Sequence, residues 1–217
     1  MVGSAAGQWP RPRSRSCIRG TPAIHGGRVA CVVLAAGGSR RLGRPKQLVR
    51  RRGQPLLVRA VDAARGALPG APLVVVLGAE ALRLRALLRR RDPAVRAVVN
   101  SRWSSGLASS LQRGLETLSS EVDAVLVLLV DQPNVDAAAL RRLVDAWRRR
   151  PAAPAAARYL GRPGVPAILP RRAWRALRNL DGDAGARALL RGAGTVTLVD
   201  MPEAELDVDT PEDAARL

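Results

Sequence analysis

Phenylalanine is absent from this chain of 217 residues, and all aromatic side chains together reach only 2%. The apolar share is nevertheless 47%, enough to fold, so the core has to be packed from Ala, Val and Leu. Cysteine is scarce: Cys17 and Cys31 are too few and too poorly placed for a disulfide framework or a thiolate metal site. A reducing, cytoplasmic setting is the expectation. Long apolar runs are missing as well. Runs such as Ala124 to Val130 fall far short of the roughly 20 residues that span a bilayer, so no membrane partner is expected.

Charge is present in excess of one sign. Thirty-six basic residues face 18 acidic ones, a formal net charge of +18. Such a balance invites nucleic acid as a partner. Arginine, however, is spread over nearly every helical stretch, alanine is abundant and Lys46 is the only lysine. That distribution reads as a compositional bias, and no specific nucleic-acid partner is expected. A general attraction to polyanions, triphosphates included, remains at low salt.

Residues 1–27 are rich in Arg, Pro, Ser and Gly and carry no apolar h-region. We expect a disordered extension there, or a start codon placed too early, followed by one domain over residues 28–217. From Val29 the pattern is regular. Val29–Ala36 is a continuous apolar run of the kind buried on both faces of a parallel sheet. Leu57, Val61, Ala64 and Leu68 follow at helical spacing, then an apolar run at Leu73–Leu77. Leu84, Leu87 and Leu88 mark another helix, and Val95–Val99 another strand. A polar loop leads to Leu107, Leu111, Leu115 and Leu118, again at helical spacing. Val122–Val130 is the most apolar strand and is expected at the centre of the sheet. Leu140, Leu143, Val144 and Trp147 give the clearest amphipathic helix. Alternating strands and helices predict an α/β fold: three layers, doubly wound, with a mostly parallel sheet. Residues 151–180, interrupted by five prolines, are expected to form short strands and loops covering the sheet edge. A last strand is expected over Thr195–Val199. Thr210, Pro211 and Asp213 have the spacing of a capped helix start.

Four segments carry chemistry. The first, Leu34-Ala35-Ala36-Gly37-Gly38-Ser39-Arg40-Arg41-Leu42-Gly43-Arg44-Pro45-Lys46, follows the first strand directly. It therefore sits at a strand's carboxyl end, where open α/β sheets bind ligands. Gly37, Gly38 and Gly43 would let backbone N–H groups approach phosphate oxygens, with Arg41 and Lys46 adding charge. An ammonium is a point charge that can follow a moving phosphate; a guanidinium fork needs a different pocket. The second is Asp131-Gln132-Pro133 at the end of the central strand. Its carboxylate suits Mg²⁺, which favours carboxylate plus phosphate oxygens; a cap or a solvated strand end is the plainer alternative. In the third, Asp207-Val208-Asp209-Thr210, strand alternation would put both carboxylates on one face. Either a metal or neighbouring arginines could balance them. The fourth, Asn100 to Ser110, offers Ser and Gly donors before a helix, and could equally be an ordinary Ser-capped helix.

Taken together, Leu-Ala-Ala-Gly-Gly-Ser-x-Arg-Leu-Gly-x-Pro-Lys at 34–46, Asn-x-x-Trp-x-x-Gly-x-x-Ser-Ser-Leu at 100–111, Asp-Gln-Pro at 131–133 and Asp-x-Asp-Thr-Pro-Glu-Asp at 207–213 resemble the molybdenum cofactor cytidylyltransferases. The resemblance implies a nucleotide-diphospho-sugar transferase-like fold and a Mg²⁺-dependent transfer of CMP from CTP to a terminal phosphate of molybdopterin, with release of pyrophosphate. A molybdoenzyme of the xanthine dehydrogenase type is an implied partner. By the resemblance, Arg41, Lys46 and Asp131 are catalytic, and Asp131 and Asp209 hold the metal. Leu34, Ala35, Ala36, Gly37, Gly38, Lys46, Asn100, Ser105, Gly106 and Ser109 would line the nucleotide. Ala36, where guanylyl-transferring relatives more often carry Gly, leans toward a pyrimidine base. The chain departs at 161–166, where Val165 stands in place of an expected His. Arg162 and Gly164 there, with Asp183 and Arg187 in Gly182-Asp183-x-Gly185-Ala186-Arg187, are the implied acceptor-binding residues. A GTP- or UTP-using transferase acting on another phosphorylated acceptor, and a non-catalytic maturation chaperone, are the alternatives.

Overall fold

The computed structural model describes residues 27–177, 180, 182, 190 and 195–217. Asp183, Arg187 and residues 1–26 lie outside the described residues. The strands are β1 (Val29–Ala35), β2 (Arg50–Arg51), β3 (Gln54–Pro55), β4 (Leu73–Leu77), β5 (Arg96–Val99), β6 (Ala124–Leu129), β7 (Ala155–Tyr159), β8 (Arg162–Pro170) and β9 (Thr197–Asp200). The described α-helices are α1 (Leu56–Ala67), α2 (Ala81–Arg91), α3 (Leu107–Glu116), α4 (Ala137–Arg149), α5 (Trp174–Leu177) and α6 (Pro211–Ala215).

Seven strands form one sheet in the order β5-β4-β1-β6-β8-β7-β9, and β2 and β3 form a separate hairpin. All pairings in the large sheet are parallel except those of β8 with its neighbours β6 and β7. The strand expected at the centre, β6, is the fourth of seven.

Strand β1 shows why the sheet needs two helical layers. Val29, Cys31, Val33 and Ala35 enter one core, packed with α1, α2 and α4. Ala30, Val32 and Leu34 enter the other, packed with α3 and α5. Both faces are apolar because both are covered. The two cores are built from Ala, Val and Leu, with Trp147, Trp174 and Tyr159 as the bulky exceptions.

The order of connections places the site. From β1 the chain steps to β4 and β5 on one side, through α1 and α2. It then returns through α3, on the opposite face, to β6 on the other side of β1. The crevice at the carboxyl ends of β1 and β6 lies at this reversal, the usual ligand position in an open α/β sheet.

Two expectations change. Residues 151–180 do not cover the sheet edge: β8 pairs directly with β6 and continues the sheet inward. The prolines misled because Pro lacks an N–H donor and suggests an edge or a loop. The ladder accommodates Val165 and Pro166 by a register shift, Ala156 facing Ala167 and Ala157 facing Gly164. Asp207–Asp209 belongs to no strand either. Val208 is buried, and its N–H donates to the Asp131 carbonyl at 2.9 Å. The segment thus lies beside β6 without forming a ladder.

Candidate active site

The loop after β1 is shaped from beneath by Gln47, a buried side chain in a 3-10 turn over Lys46–Leu48. Its Nε2 donates to the Ala35 carbonyl (2.8 Å) and the Gly37 carbonyl (2.9 Å). Ser39, at φ 50°, accepts the Lys46 N–H on its Oγ at 3.0 Å. These bonds turn the chain so that Lys46 points back over the carboxyl edge of the sheet. A side-chain carbon on Gly37 would meet nothing within 4 Å, so its backbone faces open space. Gly38 serves another purpose: a Cβ there would lie 3.0 Å from the Trp103 ring. Gly78 makes room on the far side of the same indole, where a Cβ would come within 2.7 Å of Trp103 and 2.3 Å of the Ala36 carbonyl.

The second wall is the 100–110 segment. Asn100 is buried; its Nδ2 donates to Ser109 Oγ (2.9 Å) and Ser110 Oγ (3.1 Å), and its Oδ1 accepts from the Arg102 N–H. Ser109 Oγ in turn shares its one proton between the Arg102 and Gly106 carbonyls, each 2.9 Å away. The polar atoms of Asn100 and Ser109 are thus used in folding the loop. Ser105 Oγ is likewise bonded to the Arg102 carbonyl. Gly106, at φ 111°, packs so closely on Gly182 that a Cβ would lie 2.3 Å from its backbone. The Gly182 carbonyl accepts the Ala108 N–H at 3.1 Å. Both the φ value and the space require glycine at 106.

Four charged groups meet on the floor. Lys46 Nζ lies 2.7 Å from Asp131 Oδ2 and 2.6 Å from Asp209 Oδ1. Arg41 reaches the other oxygen of Asp209 at 2.9 Å. The lysine and Asp131 side chains are 14% and 15% exposed, so this is a shielded pair open to the cleft at one side. Burial works to lower the Lys46 pKa, but the charges and hydrogen bonds of Asp131 and then Asp209 outweigh it, and the ammonium is held above the usual lysine value. Lys46 is therefore charged at any physiological pH.

The resulting cleft, about 430 Å³, is lined by Ala36, Gly37, Arg41, Lys46, Trp103, Gly106, Ser110, Asp131 and Asp209, with Leu34, Ala35, Gln47 and Leu107 among their neighbours. Asn100, Ser105 and Ser109 support its wall rather than line it. Arg162 and Gly164 lie on β8, whose start is at the same sheet edge; Arg162 is exposed, and Gly164 is buried where a Cβ would meet the Tyr159 hydroxyl at 2.4 Å. Gln132 ties this region to the site: its Nε2 donates to the Val165 and Ala204 carbonyls, both at 2.9 Å. Val165 is in the core facing α3 and α5. Cys31 is no candidate nucleophile, since burial pushes its thiol up to about 12.

Sequence reasoning passed over Gln47 and gave Trp103 no role. A polar residue among apolar neighbours just after Lys46, and the only Trp in a Ser- and Gly-rich loop, were the signals available.

A metal can be tested against this donor set. Asp131 Oδ1 is buried and takes no hydrogen bond, which leaves one carboxylate oxygen for a hard cation. No group of three or more His, Cys, Asp or Glu converges among the described residues. Two carboxylates suit Mg²⁺ or Mn²⁺ completed by phosphate and water, so Asp131 and Asp209 fit such an ion.

Comparison with known proteins decides the family. The model of the MobA-like NTP transferase domain matches residues 31–203. The chain belongs to this family. It is a nucleotidyltransferase. Among curated relatives, the nicotine blue oxidoreductase of Paenarthrobacter nicotinovorans is 37% identical to the transferase over 201 residues, 87% of this chain and 96% of that one. Among solved structures, Rv0371c from Mycobacterium tuberculosis H37Rv is 31% identical with a TM-score of 0.72, covering 88% of the transferase and 97% of the relative. A second structure of Rv0371c, a complex with manganese, matches at 30% identity and the same TM-score of 0.72, over 88% and 97% of the two chains. No helix among the described residues of the transferase is long and apolar enough to cross a membrane.

Proposed function

We propose that the chain transfers CMP from CTP to a terminal phosphate of molybdopterin and releases pyrophosphate, with Mg²⁺ as cofactor. The observation that carries the reading is the convergence of Lys46, Arg41, Asp131 and Asp209 beneath a Gly-rich loop at the sheet's reversal point. A nucleotidyl transfer asks for little acid–base chemistry, because an attacking phosphate is already ionised. It asks for alignment and for neutralisation of charge on the α-phosphate and the leaving pyrophosphate. Gly37 offers an unobstructed backbone to the triphosphate, and Arg41 and Lys46 offer two cations within reach of it. Asp131 and Asp209 would hold Mg²⁺, which supplies further neutralisation of phosphate charge. Ala36, Trp103 and Ser110 bound the part of the cleft left for base and ribose. The lean toward cytosine rests on Ala36, and the molybdopterin acceptor on the likeness of segments 100–111 and 131–133 to the cytidylyl branch.

The name of the 37%-identical relative supports a second reading, a redox reaction carried by the same fold. One experiment separates the readings. Purified protein is given Mg²⁺, molybdenum-loaded molybdopterin and either CTP or GTP, and pyrophosphate is measured; a parallel cuvette follows the absorbance of nicotine blue with an added electron donor. Pyrophosphate with CTP alone is expected. Pyrophosphate with GTP would overturn the base, and silence with both beside measurable nucleotide binding would overturn the acceptor. Dye reduction without pyrophosphate would replace the reading altogether.

A further inference from the structure

Lys46 does more in this arrangement than wait for a phosphate. Its ammonium sits between two carboxylates from distant parts of the chain, one at the end of β6 and one just before α6, at 2.7 and 2.6 Å. The Val208 N–H also ties the second segment to the first, by its hydrogen bond to the Asp131 carbonyl. Without the ammonium, two carboxylates would face each other across a shielded cleft. We propose that Lys46 is the resident counter-cation of the Asp131–Asp209 pair, and that it obliges a divalent cation to enter together with the nucleotide's phosphates rather than before them; the inference rests on the metal assignment made above.

The physical argument concerns what the ammonium does when a second cation arrives. A dication held by Asp131 and Asp209 would share its carboxylates with the ammonium, which is already at hydrogen-bond distance from both, in a place where water screens poorly. Arg41, on the far oxygen of Asp209, adds a third positive charge. A free dication therefore meets a site whose negative charge is already matched. A triphosphate changes this balance: it brings its own anionic oxygens, to which Lys46 can turn, and it leaves the carboxylates to the metal. Asp131 Oδ1, buried and without a hydrogen bond beside the ammonium, would be open to an incoming ion while the lysine still holds the other oxygen. Arginine could not play this part in the same way, because its fork would need to reorient two donors at once, whereas the ammonium turns on a flexible stem. This accounts for one retained lysine in a chain that otherwise carries arginine at every basic position.

The test measures metal alone. Free Mn²⁺ is titrated into nucleotide-free protein and followed by its electron paramagnetic resonance signal, for the parent, Lys46→Met, Lys46→Gln and Lys46→Arg, and for Asp131→Asn in the parent and in Lys46→Met. Thermal unfolding of each confirms that it is folded. The parent is expected to bind free Mn²⁺ weakly and to bind it at least about 10-fold more tightly once CTP is added. Lys46→Met and Lys46→Gln are expected to bind free Mn²⁺ at least about 10-fold more tightly than the parent, with a smaller gain from CTP. Lys46→Arg keeps the charge and should keep the weak binding. Unchanged or weaker Mn²⁺ binding in both neutral variants overturns the proposal while leaving the carboxylates as the metal site. Mn²⁺ binding that Asp131→Asn does not diminish in either background overturns the metal assignment itself, and this proposal with it.

Discussion

The two sides of β6 are built on different terms. On the β1 side, parallel strands end in loops whose polar side chains are spent on one another: Gln47 on the loop carbonyls, Asn100 and Ser109 on the adjoining turn. What they leave facing the cleft is a small set of charges and bare backbone. On the β8 side, an antiparallel strand bends around a register shift, and beyond its ladders with β6 and β7 a side chain, Gln132, bridges Val165 and Ala204. The first side is a closely hydrogen-bonded cradle, the side proposed to hold the triphosphate. The second is joined to the site by the Gln132 amide, and it is the side proposed to face the acceptor.

The largest expected effect tests the cradle. Asp131→Asn keeps size and shape and removes one charge from the Lys46 site. Pyrophosphate release should fall at least about 10²-fold, roughly 3 kcal/mol, and full activity would show that the charge is idle. Gln132→Leu tests the other side: two buried carbonyls lose their donor, and urea unfolding should report a loss of about 2 kcal/mol. If the β8 side is separately anchored, that loss falls on acceptor use more than on CTP binding, and equal loss of both would erase the distinction drawn between the sides. Gln47→Leu removes two bonds to the loop and should raise the KM for CTP about 10-fold, near 1.4 kcal/mol, with kcat less affected.

The smallest expected effect concerns α6, which fixes the end of the Asp209 segment. Thr210 and Asp213 form a reciprocal cap, and Thr210→Ala should cost about 1 kcal/mol. The Asp209 N–H, then the Thr210 hydroxyl and N–H, hold the Asp213 carboxyl below its ordinary value of 3.8. A depressed carboxyl stabilises above its unfolded pKa and loses that contribution as pH falls through the folded one. The gap between parent and Thr210→Ala should therefore persist at neutral pH and narrow below about pH 4, as thermal melts across an acid series would reveal.

Helical spacing and apolar runs were enough to locate most elements to within a residue or two, because one face or both must be buried wherever the period says so. The cap at Thr210 was legible for the same local reason. The prolines of β8 were misread because their effect depends on the partner strand, which sequence does not display. Alternation predicts Asp207 and Asp209 as strand neighbours, whereas the segment lies beside β6 without a ladder, the Val208 N–H bonded to the Asp131 carbonyl.

By itself, the order of residues determined the layered α/β class, the aliphatic core and the positions of the Gly-rich loop, the lone lysine and the acidic strand ends; these follow from local period and local chemistry. Only the tertiary structure decided that Lys46 lies between Asp131 and Asp209, that Gly38 and Gly78 make room for Trp103, and that Asn100 and Ser109 face inward to their own loop. Those pairings join residues as much as 163 positions apart, and no local signal encodes which partner a side chain will meet once the sheet has closed the distance.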